Sequence, residues 1–211
     1  MTVDATTPAL ARPRLDVGLA FKGGWNAFTA DIVPLLLGTL IAGVLSIVTL
    51  GILAGPLFAG LYNMVVLRIR EDRHARVEDV FSCLDRFWSF LGAAIVLVTL
   101  IGLASLTIVG GVLLATIWMY TVPLMVDRGL GVFDAMGASY HKVVDGGFWE
   151  HLALAVLFVV LNAVADGPLA IVAVPFTIAV VGAAYFVTDG RGGLVERPPA
   201  APPAAPPLPQ T

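Results

Sequence analysis

The sequence predicts an all-α membrane protein, a bundle of about six transmembrane helices built as three helical hairpins, each preceded by an amphipathic interfacial helix. Composition is the first reason: 58% of the 211 residues are hydrophobic and 13% are charged, against about 25% charged residues in ordinary globular chains. Mean hydropathy is +0.92. The second reason is three long apolar stretches, and the third is turn residues near the middle of each. A soluble domain is therefore excluded.

Each apolar stretch is roughly twice the ~20 residues that one transmembrane helix needs, so each is expected to fold back on itself. The first hairpin covers 31–67 and turns at GILAGP, residues 51–56. Its halves are short, and a re-entrant pair is the alternative. An apolar stripe at helical spacing precedes it and predicts an interfacial helix. The stripe consists of Val17, Phe21, Trp25, Phe28 and Ile32.

The second and third hairpins follow the same pattern at 87–126 and 148–187. The turn of the second is predicted at Gly110-Gly111, and that of the third at 166–168, because glycine and proline favour turns. Apolar stripes at 77–91 and 132–144 predict the two further interfacial helices. The chain thus has the form of three architectural repeats within one transmembrane domain, 15–190, between a flexible tail at 1–14 and a Pro/Ala-rich disordered tail at 191–211.

The basic residues predict the orientation. All 12 Lys and Arg residues lie outside the three predicted hairpin tips, so six spans place every one of them on the same side. Because cytoplasmic loops are enriched in Lys and Arg, that side is expected to be the cytoplasm. The prediction is a multi-pass protein of the cell inner (plasma) membrane with both termini cytoplasmic. Insertion is expected to rely on the spans, since residues 1–16 lack the pattern of a signal peptide.

Ionisable groups inside a membrane point to transport or catalysis, because burying a charge in hydrocarbon is costly. Here they fall at predicted span ends and are interpreted as interface anchors. The set is Asp31, Asp127, Arg128, Glu150 and His151, with Asp166 at a tip. Adjacent residues on a helix do not converge, so Glu150 and His151 are not expected to act as an acid/base pair. We therefore predict no catalytic, cofactor-binding or metal-binding residue and no cofactor.

Uncharged polar residues within the predicted spans have two interpretations. Asn63 and Asn162 either hydrogen-bond a neighbouring helix or line a substrate path, and the first is favoured. Trp25, Trp88 and Trp149 stand where the predicted spans begin, which is typical of the aromatic belt at a membrane surface.

Three runs of the sequence carry a resemblance. ASYHKVVDGGFW at 138–149, PLMVDRG at 123–129 and GPLFAGLY at 55–62 resemble stretches of uncharacterised bacterial multi-spanning (about six-span) membrane proteins, a group similar to the membrane domain fused to some glycerophosphodiester phosphodiesterases. The resemblance covers about residues 15–190. It implies a six-span bundle in a bacterial inner membrane and carries over no catalytic residue; the phosphodiesterase domain is absent.

The expected function is that of an integral membrane protein of structural, assembly or lipid-interacting type without catalytic activity of its own. Its expected partner is membrane lipid, with other membrane proteins second; nucleic acid is not expected, and the sequence does not indicate a homo-oligomeric state. A small-solute or lipid transporter or channel is the alternative. Polar residues converging at mid-depth would favour transport, whereas a sealed apolar interior would favour the first function.

Overall fold

The computed structural model describes residues 13–165 and 167–196, and every regular element in these two ranges is helical. The prediction of an all-helical chain is thus confirmed. Most of both predicted tails, at 1–12 and 197–211, lies outside the described residues. The α-helices are α1 Val17–Ala30, α2 Ile32–Val48, α3 Ala54–Glu71, α4 Phe87–Ala104, α5 Ile108–Ile117, α6 Thr121–Arg128, α7 Val132–Asp145, α8 Phe148–Val164, α9 Ala170–Thr188 and α10 Gly192–Val195.

The core is built around α9, which packs mainly against α1 and α3. Glycines permit this close approach: a Cβ added to Gly24 would lie 2.5 Å from the Val180 Cα, and one added to Gly182 would lie 2.6 Å from a Val65 methyl group. The short α10 also contributes, since its Val195 is buried against Gly23. It falls within 191–211, the segment that the sequence assigned to the tail.

Two of the three predicted amphipathic helices are present, as α1 and α7. Each ends in a sharp bend into the next apolar helix, of 86° between α1 and α2 and of 111° between α7 and α8. The stripe at 77–91 differs, because Val77–Phe81 and Leu84–Arg86 form 3-10 turns before α4 begins. Packing explains the difference: a Cβ at Gly60 would lie 2.0 Å from the Val80 carbonyl oxygen. The backbone of this segment therefore rests directly on α3.

The first predicted turn is close to the observed one, whereas the second is wrong. α2 ends at Val48 and α3 begins at Ala54, with Leu50 at φ 52° and Gly51 at φ 86° between them. Gly110 and Gly111 lie inside α5, and the chain turns before them. They pack on that turn, because a Cβ at Gly111 would lie 2.2 Å from the Ser105 hydroxyl oxygen.

Several helices are long and apolar enough to span a membrane. By length and composition, three segments of the described residues qualify, namely Val77–Ala104, Val109–Arg128 and Ala170–Thr188. The number rises to five if each bent pair, α1 with α2 and α7 with α8, counts as one span. α3 has 18 residues but ends on Arg68, Arg70 and Glu71, which places three charges in its last turn.

Candidate functional site

The charged side chains of distant segments meet at one end of the bundle, around Asp127 in the last turn of α6. The Asp127 side chain is only 4% exposed. Its Oδ1 accepts a hydrogen bond from Arg70 Nη1 at 2.9 Å, and its Oδ2 accepts hydrogen bonds at 2.7 Å from the Tyr185 hydroxyl and from Arg191 Nη2. One carboxylate therefore joins α3, α6, α9 and the segment after α9.

A second carboxylate, Asp189 at the end of α9, completes this network. Its Oδ1 accepts hydrogen bonds from Arg128 and from Lys142 Nζ, the latter at 2.8 Å, and its Oδ2 accepts one from Arg191 Nε at 2.8 Å. Burial raises the pKa of this carboxyl, but the hydrogen bond and positive charge of Lys142, with those of Arg128, lower it more. The net pKa of Asp189 lies below its ordinary value.

Tyr185 holds the two carboxylates of the network together. It is fully buried and donates to Asp127, while its ring faces Lys142 Nζ at 4.6 Å and the Arg191 guanidinium at 5.5 Å. Cations over an aromatic face are attracted by the ring quadrupole. We call the set Arg70, Asp127, Arg128, Lys142, Tyr185, Asp189 and Arg191 the ion-pair network.

Asp31 forms a separate cluster at the bend between α1 and α2. Its buried carboxylate lies 2.8 Å from His74 Nδ1 and 3.6 Å from Arg68 Nε, and it accepts a hydrogen bond from the Ala75 backbone N–H at 3.1 Å. Asp31 and Asp127 thus lie at helix ends, as the sequence predicted. Their side chains bind protein cations within the fold, however, and do not act as exposed interface anchors.

A cavity of about 410 Å³, lined by both charged and apolar residues, opens beside Asp189. Its lining includes Arg128, His141, Lys142 and Asp189 together with Leu124 and Ala138. The rim is formed in part by Pro13, in a segment where the Leu15 N–H donates to the Gly146 carbonyl at 2.8 Å. The cavity is therefore lined by the ends of α6, α7 and α9, the same elements that the ion-pair network connects.

The apolar segment that runs from the turn between α4 and α5 to the ion-pair network is a discontinuous helix. α5 ends at Ile117, and α6 begins at Thr121. The Ser139 hydroxyl, from α7, satisfies the interrupted backbone: it donates to the Ile117 carbonyl at 2.7 Å and accepts from the Tyr120 N–H at 3.2 Å. Pro123 lies in the first turn of α6 and has no N–H to continue the α5 hydrogen-bond pattern.

Three buried polar atoms beside this break have no hydrogen-bond partner within 13–165 and 167–196. They are the Tyr120 hydroxyl, Thr121 Oγ1 and His151 Nε2. The Tyr120 and His151 rings meet edge to face at 5.4 Å. His151 Nδ1 lies 2.6 Å from the Gly147 carbonyl, so that nitrogen is the donor, and in the neutral imidazole Nε2 is then an acceptor. Nothing in the sequence indicated that these three residues would meet.

The other candidate residues of the sequence are dispersed. Asn63 donates to the Ser82 hydroxyl at 2.8 Å, and Asn162 donates to the Phe158 carbonyl and to the Thr177 hydroxyl. The Asn162 amide thus bonds a neighbouring helix, as the favoured interpretation expected, whereas the Asn63 amide bonds Ser82 between the two 3-10 segments. Within the described residues, no hydrogen bond joins the Glu150 carboxylate to the His151 ring. Asp166 lies outside the described residues.

The histidines are likewise far from forming one site. His74 contacts Asp31, His141 is exposed on α7, and His151 is buried in α8. Among the described residues, no group of three or more His, Cys, Asp or Glu side chains is placed to hold a metal ion.

No protein family, curated protein or solved structure matches this chain. The resemblance to membrane domains fused to glycerophosphodiester phosphodiesterases therefore stays a prediction. The features of the chain that bear on its function are the ion-pair network and the cavity beside it.

Proposed function

We propose that the chain is a six-span integral membrane protein of structural, assembly or lipid-interacting type, without catalytic activity of its own. The observation that carries the proposal is the division of its surface. Large apolar side chains are exposed along the sides of the long helices, such as Val98 on α4 and Val164 on α8. Among the described residues, the ion-paired side chains of Asp31, Asp127 and Asp189 with their cations gather at one end. A bilayer covers an apolar belt of this kind and leaves a charged end in water.

The proposed six spans are α2, α3, α4, the α5–α6 pair, α8 and α9. α2 and α8 have 17 residues each, about 26 Å at 1.5 Å per residue, close to the hydrocarbon thickness. The beginnings of α2 and α4 and the ends of α3, α6 and α9 all contribute to the charged contacts at one end. An even number of crossings brings them together there.

The orientation proposed is the charged end in the cytoplasm of a bacterial cell, with both termini on that side of the inner membrane. The positive-inside rule supports it, because the described cations of the ion-pair network, Arg70, Arg128, Lys142 and Arg191, meet at that end. Trp88 and Trp149 add support, since they lie at the starts of α4 and α8 and are 81% and 76% exposed. Indole rings favour the membrane–water interface.

A role without chemistry of its own is supported by how the ionisable groups are used. Asp127, Asp189 and Asp31 each neutralise cations from other segments. Such contacts fix helix ends relative to one another. Cys83, the single cysteine, is buried beside the Ser82 hydroxyl.

Transport is the second candidate, and one observation favours it. The break between α5 and α6, with buried polar atoms of Tyr120, Thr121 and His151 beside it, has the form of a discontinuous membrane helix. Such helices hold the substrate sites of many transporters. The amides of Asn63 and Asn162 do not add to this site, since each is bonded elsewhere.

The structural or lipid-interacting role and the transport role predict different molecules copurifying with the protein. We expect purification in mild detergent from the native membrane, followed by mass spectrometry, to recover either a stoichiometric membrane protein or an enriched lipid. If the chain emerges alone and proteoliposomes containing it take up a small solute, transport replaces the proposal.

Two matched variants locate the contact with a protein partner. Val98 on α4 and Val164 on α8 have similar exposures, 72% and 77%. If a protein partner covers the less buried α4 face, Val98→Trp abolishes copurification of that partner, and Val164→Trp does not. Equal recovery with both variants would exclude the α4 face as the docking surface.

A further inference from the structure

We propose that the cavity between α6, α7 and the end of α9 is a binding site for a phosphate-type anion, supplied either by a lipid headgroup or by a soluble phosphate ester. Only the lipid source depends on the proposed function. Binding of the anion itself rests on the cavity's own charge, donors and shape.

The fixed charges at the cavity are predominantly positive. Arg128 and Lys142 line it, and Arg191 binds the far oxygen of Asp189. The single lining carboxylate therefore has three cations on it, two at Oδ1 and one at Oδ2, of which Arg191 is shared with Asp127. Its negative charge is more than balanced, and an anion entering the cavity is attracted by the excess.

Among these residues, Lys142 gives the strongest indication of an anion site. Its side chain is only 10% exposed, and a lysine is rarely buried to this degree. Asp189 and the Tyr185 ring compensate for part of its charge. An ammonium group has three donors, and among the described residues Asp189 accepts a hydrogen bond from just one. The ammonium also lies over the rings of Tyr185 and Tyr120, at 4.6 and 5.9 Å, neither of which is a full hydrogen-bond acceptor, and the residue lines the cavity.

Arg128 supplies the geometry that a phosphate requires. A guanidinium presents five N–H donors in a plane and binds phosphate oxygens in pairs. Asp189 takes one N–H group of Arg128 through Nη2, and the side chain is half exposed at the cavity. His141 also lines the cavity. A phosphate held between Arg128 and Lys142 would complete the hydrogen bonds of both.

The size of the cavity and its walls limit the ligand. A volume of about 410 Å³ lies in the usual range of small-molecule sites, about 300 to 1,000 Å³. The apolar side is formed by Leu124 and Ala138. The site therefore fits a phosphate ester of a small alcohol better than bare chloride. Basic pockets between membrane helices on the cytoplasmic side are a known form of headgroup site.

The first experiment measures thermal unfolding of the full chain, purified in neutral detergent, during titration with sodium phosphate or with sodium chloride at equal ionic strength. We expect phosphate alone to raise Tm saturably, by about 5 °C or more at one hundred times Kd. An equal response to both salts, or none, would overturn the proposal.

Three variants show whether the cavity is responsible. Arg128→Gln removes the paired donors, and Ala138→Leu fills the cavity without touching an ion pair; each should weaken phosphate binding at least tenfold. The control is Arg76→Gln, which removes an exposed cation whose contact with Glu78 is 3.9 Å long. It should bind phosphate as the unaltered chain does. If Ala138→Leu folds and binds phosphate normally, the site is not this cavity.

A second experiment identifies the source of the phosphate group. The protein is placed in nanodiscs of phosphatidylcholine alone or with phosphatidylglycerol, and the phosphate titration is repeated in both. Loss of the phosphate response with phosphatidylglycerol assigns the site to a lipid headgroup; an equal response assigns it to a soluble ester. Phosphate binding without any copurifying lipid would leave the anion site intact and contradict the lipid-interacting function.

Discussion

α9 and α4 are equally apolar, yet they occupy opposite situations in the fold. Their most apolar windows have mean hydropathies of 2.3 and 2.2, but 67% of the α9 window is buried and only 11% of the α4 window. The residues that differ are the small ones in contact with neighbours. Gly182 in α9 meets Val65, whereas Gly92 and Gly102 in α4 have nothing within 4 Å of an added Cβ.

A helix can thus be apolar enough for a membrane without packing closely against the other helices. Lipid tails are as apolar as leucine, so hydrophobicity alone does not drive one membrane helix against another, and close van der Waals packing and polar contacts do. In α9 small residues provide the packing, and Tyr185 with Asp189 provides the polar contacts. α4 lacks both along most of its length, and its side is exposed.

The largest expected effect is at the ion-pair network. Asp127→Ala leaves Arg70, Arg191 and Tyr185 without their shared acceptor, and we expect a loss of about 2 to 3 kcal/mol in the free energy of unfolding, below the full value for a buried pair because both arginines are partly exposed. Reversible SDS unfolding of the detergent-solubilised protein measures it. Glu78→Ala, at an exposed carboxylate, is the control and should change less than about 0.5 kcal/mol.

Glycine substitutions test the two helix environments directly. Gly24→Ala places a methyl group 2.5 Å from the Val180 Cα, and we expect a loss of about 1 to 3 kcal/mol by overpacking. Gly102→Ala in α4 meets nothing and should be neutral or stabilise by up to about 1 kcal/mol, since alanine favours the helix. Similar losses from both substitutions would refute the contrast between α9 and α4.

Ser139→Ala tests the support of the break between α5 and α6. The substitution removes the donor to the Ile117 carbonyl and the acceptor of the Tyr120 N–H, which costs about 1 to 2 kcal/mol when such groups stay buried. Ser105→Ala is the control, because within the described part of the chain that hydroxyl donates only to the Ile101 carbonyl of the helix that it caps. Hydrogen exchange of the amides at 117–121 should also rise in Ser139→Ala alone.

The smallest effect is a dependence of stability on pH. The pKa of Asp189 is lowered in the fold from an ordinary 3.8, so its contribution is complete above about pH 4 and is lost as pH falls through the lower folded value. Unfolding measured from pH 6 down to pH 3 should show this loss, and Asp189→Asn should flatten that part of the profile. An unchanged profile in the variant would exclude Asp189 as the cause.

The positions of the apolar helices could be predicted because the hydrophobic pattern of each helix is contained in its own segment of the sequence. α1 and α7 followed from stripes at helical spacing, and the turn near Gly51 followed from local turn chemistry. The turn predicted at Gly110-Gly111 failed because glycine also permits close packing inside a helix. The 3-10 turns at 77–86 were missed because contact with α3 at Gly60 determines them.

The candidate site was less accessible to sequence reasoning. Asp127 and Arg128 were recognised as span-end charges, but their partners lie 58 and 61 residues away, at Tyr185 and Asp189. Only the packing of α6 against α3 and α7, and of α3 against α9, brings these residues together. A single sequence shows which residues carry charge and does not show which of them meet.

The most direct test of the account is the side of the membrane on which each end of the bundle lies. In a Cys83→Ser background, single cysteines at Leu50 and Leu106, both highly exposed at the turns, are compared with one at Glu78 near the charged end. We predict that a membrane-impermeant maleimide labels Leu50→Cys and Leu106→Cys in intact cells, and Glu78→Cys only after lysis. Labelling of Glu78→Cys from outside, or of the two turns from opposite sides, would contradict the six-span arrangement.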